Sequence, residues 1–309
     1  MNRYTLKSKL AALIVVFGVL LRVSDASASG LLLALGFSLE SFSDTGTVAV
    51  GVGNASRVTT PLCFVFGGIG GASGISLGNN GAFCGDAISG GPIVVNNYTK
   101  VFKKCITLGD PVTLKTGATC ADTDTTGNNP LLVAFFASLL SGGFFACNVQ
   151  TGNATQTEPA INLAASKKLT ITDGNPGGLN LIDVPSMTLG NSSTLTLSGG
   201  SSDTVVLRVD GASSIGHSAK ILLTGGLTPF SVVIATQGGI SFWGNSTTVS
   251  GTILNGLPFS PTGQNCTIGT GATISGAVLC ENNLSIGANL RLDYEPAIAV
   301  DIPNTCIGG

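Results

Sequence analysis

From Met187 onward the chain runs in short stretches of alternating apolar and polar residues, each broken by a glycine and a polar turn. The segments "MTLGNSSTLTLSGG" from Met187, "SIGHSAKILLTGG" from Ser214, "SFWGNSTTVSGTIL" from Ser241, "TIGTGATISGAVL" from Thr267 and "SIGANLRLDY" from Ser285 align on this pattern. Their glycines (Gly190, Gly216, Gly244, Gly269 and Gly287) are 26, 28, 25 and 18 residues apart, a period that signals a solenoid. Alternation with period two predicts strands, and a repeat too short to bury its own apolar residues must stack on its neighbours. The expected fold is therefore all-β, a right-handed parallel β-helix (β-solenoid) with one helix packed alongside. Ile215, Ile221, Leu223, Ile268, Ile274 and Val278 are expected to form its interior stacks. The repeat glycines are expected to supply a left-handed corner. Weaker copies surround Gly53, Gly78 and Gly109. The Val-rich runs "TVVLRVDG" and "SVVIATQG" read as strands covered on at least one face.

The helix is expected over residues 130–147, "PLLVAFFASLLSGGFFAC", which begin with Pro; a second membrane segment is the alternative, although the apolar run is slightly short for a span. The flanking "ADTDTTGNNP" and "TGNATQTEP" read as exposed polar loops. Arg3, Lys7 and Lys9, the apolar run 10–21, and small residues at Ala26 and Ala28 predict a cleaved signal peptide over residues 1–28. Residues 29–309 then form a single solenoid domain: irregular N-terminal coils (29–129), the helix (130–147) and regular C-terminal coils (160–300). The expected location is extracellular or at a cell surface.

Composition narrows the possible partners. Charged residues make up 10% of the chain and glycine accounts for 44 of its 309 residues, so short neutral side chains must cover the surface. Beyond the signal there remain 10 basic and 15 acidic residues. That mildly acidic balance argues against nucleic acid as a partner. All eight cysteines (Cys63, Cys84, Cys105, Cys120, Cys147, Cys266, Cys280 and Cys306) follow the signal, and an even count in an exported chain predicts disulfides. Eight cysteines allow 105 pairings, so the connectivity stays open. None forms a CxxC or Cys/His cluster, which speaks against zinc, and no cofactor is implied.

Between Gly46 and Pro296 the order of features resembles bacterial surface β-helix modules related to the ice-binding-like (DUF3494-type) family and to pilus-associated or adhesin-type β-helix domains. The residues that carry the resemblance are "VVLRVDGASSIGHSAKILLTGG", "GNSTTVSGTIL", "IGTGATISGAVL" and "LSIGANLRLDYEPAI". It implies a short apolar helix lying beside the solenoid, the place already given to residues 130–147.

An ice-binding face needs a flat array of short hydroxylated side chains at a fixed place in successive coils. Thr170, Thr172, Thr194, Thr196 and Thr247 are candidates, although threonine is also simply a good strand residue. Trp243 could stack on a sugar ring or cap the interior. Polysaccharide hydrolysis needs clustered carboxylates, and Asp173, Asp183, Asp203, Asp210, Glu281, Asp293 and Glu295 are scattered along the chain. His217 occupies a turn where sister repeats carry Asn, Thr or Ala, which fits a turn residue better than a catalyst. Asp122 and Asp124 lack a full calcium-loop spacing. Seven Asn-x-Ser/Thr sequons, at Asn54, Asn97, Asn153, Asn191, Asn245, Asn265 and Asn283, are turn residues or glycan acceptors depending on the host.

The reading that follows is an exported, non-enzymatic structural or adhesive module. Its partner would be an extracellular surface, a carbohydrate or a protein ligand, with self-association possible through the solenoid ends. The alternatives are an ice-binding protein and a polysaccharide-active β-helix enzyme.

Overall fold

A computed structural model describes residues 39–41, 50–59, 68–71, 73–128, 154–236, 238, 240–242, 245–255, 265–280 and 282–294. The expected signal peptide, the helix expected over 130–147, Trp243, and Cys63, Cys147 and Cys306 lie outside these residues.

The described chain is a parallel β-solenoid, as the repeat predicts. Every strand pairing is parallel, and each coil contributes a strand to three successive faces. Face one is a ten-stranded sheet. Its strands stack in the order Ile161–Leu163, Met187–Leu189, Ser213–Ile215, Ile240–Phe242, Cys266–Ile268, Leu284–Ile286, Val50–Val52, Ile75–Leu77, Ile93–Val95 and Val112–Leu114. The C-terminal coils therefore come first. Leu284 pairs with Val50 and Ile286 with Val52, so the last C-terminal coil is the floor on which the first N-terminal coil sits. Asn128 and Ala154 accordingly stand at opposite ends of the stack.

Alternation along each strand sends every second side chain into the interior, where stacking in register forms aliphatic columns. One runs Leu195, Ile221, Val249, Ile274, Leu292, Val58, Phe83 and Val101, all at most 2% exposed. Ile215, Ile268 and Val278 are also buried, while Leu223 is half-buried against the core. Fully burying a side chain of this size contributes about 1.5–3 kcal/mol. Cystines replace aliphatic contacts inside the solenoid at two places, Cys105–Cys120 and Cys266–Cys280, with Cα separations of 5.9 and 6.2 Å. Cys84 is disulfide-bonded as well.

The corner between faces one and two differs from expectation. Each of the ten coils has one residue with positive φ there, at Ser166, Ser192, Ser218, Ser246, Gly271, Asn289, Ala55, Asn80, Tyr98 and Gly117. Only two are glycine. The repeat glycines lie two residues earlier and serve close approach instead. A Cβ on Gly78 would lie 2.5 Å from the carbonyl carbon of Gly53, one on Gly287 would lie 2.6 Å from the amide nitrogen of Thr270, and one on Gly53 would overlap the backbone of Gly287. Gly109 is outside this column; the tenth coil turns at Thr116 and Gly117. A backbone ladder closes the corner from end to end. Ser166 donates to Asn191, Ser192 to His217, Ser218 to Asn245, Ser246 to Thr270, Gly271 to Ala288, Asn289 to Asn54, Ala55 to Asn79, Asn80 to Asn97 and Tyr98 to Thr116.

At the N-terminal-half end of the stack, Leu114 continues the column of Val52, Leu77 and Val95 yet is 41% exposed, because among the described residues no coil follows it. "ADTD", expected in a loop, instead completes the terminal strand Thr119–Asp124, where a register irregularity falls between Cys120 and Asp122. Such an irregularity, together with Lys115, Asp122 and Asp124, disfavours the addition of another strand.

Candidate functional site

The three outer faces differ in what they offer a partner. On face three the outward positions Leu181, Val206, Val233, Ala235, Leu254, Leu279, Ile88 and Ile106 are all buried, although they lie outside the solenoid interior. This stripe explains the Val-rich runs, which are covered on both sides. Arg208, 7% exposed, sits in the same face and grips Asp183 with two hydrogen bonds, Nη2 to Oδ2 at 2.7 Å and Nε to Oδ1.

Face two is open and charged. Its first outward column runs Lys168, Thr194, Lys220, Thr248, Thr273, Arg291, Arg57, Ala82, Lys100 and Thr119. The next column holds Thr170, Thr196, Leu222, Ser250, Ser275, Asp293 and Thr59. Thr170 and Thr196 are thus neighbours, and Thr172 pairs with Ser198, but this threonine patch ends at Leu222 and Lys220.

Face one is open and neutral. The middle residue of each strand points outward, giving Asn162, Thr188, Ser214, Thr267, Ser285, Gly51, Ser76, Val94 and Thr113 at one register position, with Ser241 in the corresponding place along the backbone. Inward neighbours on either side anchor each of these residues; Thr188 lies between buried Met187 and Leu189, and Thr267 between Cys266 and Ile268. On one flank runs the column Gly190, Gly216, Gly269, Gly287, Gly53, Gly78, Asn96 and Lys115, six of its eight members without a side chain. On the other flank are Ser186, Ala212, Asn265, Asn283, Gly74, Pro92 and Pro111. Lys115, in the end coil, is the one charge among these described positions. The result is a straight row of short hydroxyls about 4.8 Å apart, with low shoulders that leave it flat.

This row was missed in the sequence. The candidates there rest on threonine content, whereas the usable signal is the tetrapeptide apolar–Ser/Thr–apolar–Gly in "MTLG", "CTIG", "LSIG" and "ISLG", with "SSIG" differing only in a buried serine at its first place. Hydroxyls do recur at one fixed place in successive coils, on the face opposite in character to Thr170 and Thr196. Thr247 must be withdrawn as a surface candidate. It is 1% exposed, occupies the inward corner position shared with Ala219 and Ala272, and its Oγ1 has no hydrogen-bond partner.

His217 acts as a corner residue. Asn191 Oδ1 accepts from the His217 amide at 2.9 Å, and His217 Nδ1 accepts from the Asn245 amide at 3.1 Å, which places the ring proton of the neutral form on Nε2. Asn54 and Asn79 do the same for Asn79 and Asn97, at 2.8 and 3.0 Å. The third corner position is left-handed, and the fourth is a small inward residue such as Ser56 or Thr99, whose hydroxyls accept from Leu290 and Gly81. An Asn, a left-handed residue and a buried Ser or Thr spell a sequon. The geometry of the corner alone accounts for those at Asn54, Asn97, Asn191 and Asn245.

One pair of acids does come together. Asp203, 2% exposed, accepts hydrogen bonds from the amides of Gly177 and Gly200 and is hydrogen-bonded to the carboxyl of Asp173. Sharing that proton raises the Asp173 pKa, with burial and the Asp203 charge adding to the rise. The same hydrogen bond, followed by the Gly200 and Gly177 amides, lowers Asp203. Glycosidase carboxyls stand at least about 5 Å apart to admit substrate. These two touch, so the pair is a corner clasp. Asp122 is engaged by Lys104 at 3.0 Å, and Asp124 Oδ1 accepts from Thr126 at 2.7 and 3.0 Å; among the described residues no group of three or more His, Cys, Asp or Glu side chains is placed to hold a metal.

No protein-family model matches the chain, and no curated protein matches it. Solved structures to which it is similar include the ice-binding protein of the Antarctic ascomycete Antarctomyces psychrotrophicus, at 15% identity over 86% of this chain and 98% of that one, with a TM-score of 0.47. They also include the DUF3494 domain of a Shewanella frigidimarina ice-binding protein, at 15% identity over 81% and 95% with a TM-score of 0.43. A glycosylated ice-binding protein from an Arctic yeast matches at 15% identity over 89% and 99%, with a TM-score of 0.44.

Proposed function

We propose that this is an exported, non-catalytic protein that binds ice through face one. The observation that carries the reading is the in-register row Thr188, Ser214, Thr267, Ser285, Ser76 and Thr113 on a flat face with a single terminal charge. A liquid-like hydration shell around scattered charges cannot join a crystal lattice. Hydroxyls held at strand spacing on a rigid sheet instead anchor water at regular intervals, and the cost of immobilising each bridging water is small, about 0–2 kcal/mol. Face three is covered and face two is charged, which leaves face one as the surface suited to ordered water. This reading replaces the adhesive module as the primary one, because the hydroxyl row is specific and the adhesive reading rested on architecture alone.

The test is thermal hysteresis and ice-recrystallisation inhibition by purified chain from residue 29 onward. Activity in both, lost in the double variant Thr267→Tyr/Ser285→Tyr and kept in Thr196→Tyr on face two, supports the proposal. Inactivity of the folded wild type in both assays, or equal loss in the face-two variant, refutes it.

A further inference from the structure

Face two has a feature that ice binding leaves unused. The chain beyond residue 28 is acidic overall and carries ten Lys and Arg residues. Five of them, Lys168, Lys220, Arg291, Arg57 and Lys100, occupy one outward register column, and all five are exposed. Arg291 reaches Asp293 at 3.4 Å; among the described residues no carboxylate lies within ion-pairing distance of the other four. Chance does not readily place half the cations of an acidic chain in one of its many outward columns, least of all next to one another at Arg291 and Arg57, where the two halves of the chain meet.

We propose that this column binds a linear acidic polysaccharide lying along the stack axis. Three features favour that partner. The column is straight and spans about 40 Å, eight strand spacings, on a rigid sheet, so an extended polymer meets its contacts without the protein having to order itself. Thr194, Thr248 and Thr273 fill the places between the cations and Ser250 and Ser275 lie beside them, so sugar hydroxyls find donors and acceptors between the anionic groups. The cations are also sparse, at intervals of one to three strands. That suits a polymer with one anionic group every sugar or two, and falls short of duplex DNA, which carries a charge every ~1.7 Å. The proposal is independent of face one and survives or fails separately from ice binding.

The experiment measures binding of the purified chain from residue 29 onward to polygalacturonate and dextran sulfate, with neutral dextran, duplex DNA and phosphatidylserine vesicles alongside, at about 50 mM salt, where screening is modest. The variant Lys100→Gln/Lys168→Gln/Lys220→Gln is compared with Lys103→Gln/Lys104→Gln/Lys115→Gln, which removes the same charge elsewhere. The expected result is salt-sensitive binding to both acidic polysaccharides and none to dextran. The column variant should bind about tenfold more weakly and the control within about twofold, since each exposed ion pair is worth ~0.2–1 kcal/mol. An unchanged melting temperature in both variants, with unchanged ice activity in the column variant, would show that the fold is intact. Absence of polyanion binding, equal loss in the two variants, or tighter binding of DNA or vesicles than of either polysaccharide would each overturn the assignment.

Discussion

The backbone amide of Asn289 donates to the carbonyl oxygen of Asn54 over 2.7 Å, and by this bond the end of the C-terminal half becomes the base for the start of the N-terminal half. The seam is indistinguishable from any other step of the corner ladder. It depends on glycine, because Gly53 lies directly on the backbone of Gly287.

Gly53→Ala should therefore destabilise the protein by about 2 kcal/mol through overpacking at the seam. Gly51→Ala, two residues away with nothing within 4 Å of an added Cβ, should leave the denaturation midpoint nearly unchanged. Chemical denaturation of the two variants side by side measures the difference.

Gly51 also interrupts the hydroxyl row between Ser285 and Ser76. Gly51→Ser fills the gap without steric conflict. Under the proposed function it should increase thermal hysteresis at equal protein concentration, whereas Gly51→Lys, of greater reach and charged, should reduce it.

At the corner, His217→Asn keeps an acceptor for the Asn245 amide and reproduces the neighbouring coils, so stability should hold or rise slightly. His217→Ala removes the acceptor and should cost up to about 1 kcal/mol, limited by access of water to this exposed turn. Thermal melts of the two variants distinguish a corner role from an incidental one.

Thr247→Val removes a buried hydroxyl that has no partner while keeping the shape of the side chain. The expected effect is neutral to stabilising by about 1 kcal/mol, and ice activity should be untouched. A loss of ice activity without a loss of stability would return Thr247 to the candidate surface.

The Asp173–Asp203 clasp gives a signed pH dependence. Asp173 is raised above its usual 3.8 by its hydrogen bond to Asp203, so its contribution is present below that value and is lost as pH rises through its folded pKa. Asp203 is lowered, so its contribution is present above 3.8 and is lost as pH falls through its own folded pKa. The pair is strongest when it holds one proton. Asp173→Asn should flatten the fall in melting temperature that accompanies a rise in pH above 3.8, as followed by calorimetry across a pH series.

Much of the architecture was legible in the residues themselves. Alternation identified Ile215, Ile221, Ile268, Ile274 and Val278 as interior, because a strand's pleat assigns faces locally. The corner glycines were visible, but their purpose was not. Left-handed backbone is a local property that Ser, Asn and even Tyr98 adopt here, whereas the ban on a Cβ at Gly78 comes from a different coil. The coils at Asn96 and Ala164 passed unnoticed because they satisfy the same corner without glycine. Asp173 and Asp203 read as scattered acids for the same reason: their contact spans two stacked coils.

By itself, then, the sequence determined the repeat, the parallel solenoid and the side of each strand that faces inward, all of which follow from spacing within a single coil. Only the tertiary structure decided that residues 154–294 precede residues 39–128 in the stack, that the cations align on one face and that the hydroxyls align on another. The physical reason is that a surface column is made by hydrogen-bonded register between coils. Coil lengths that vary from 18 to 28 residues, and a junction between distant parts of the chain, leave that register unreadable until the backbone ladders are in place.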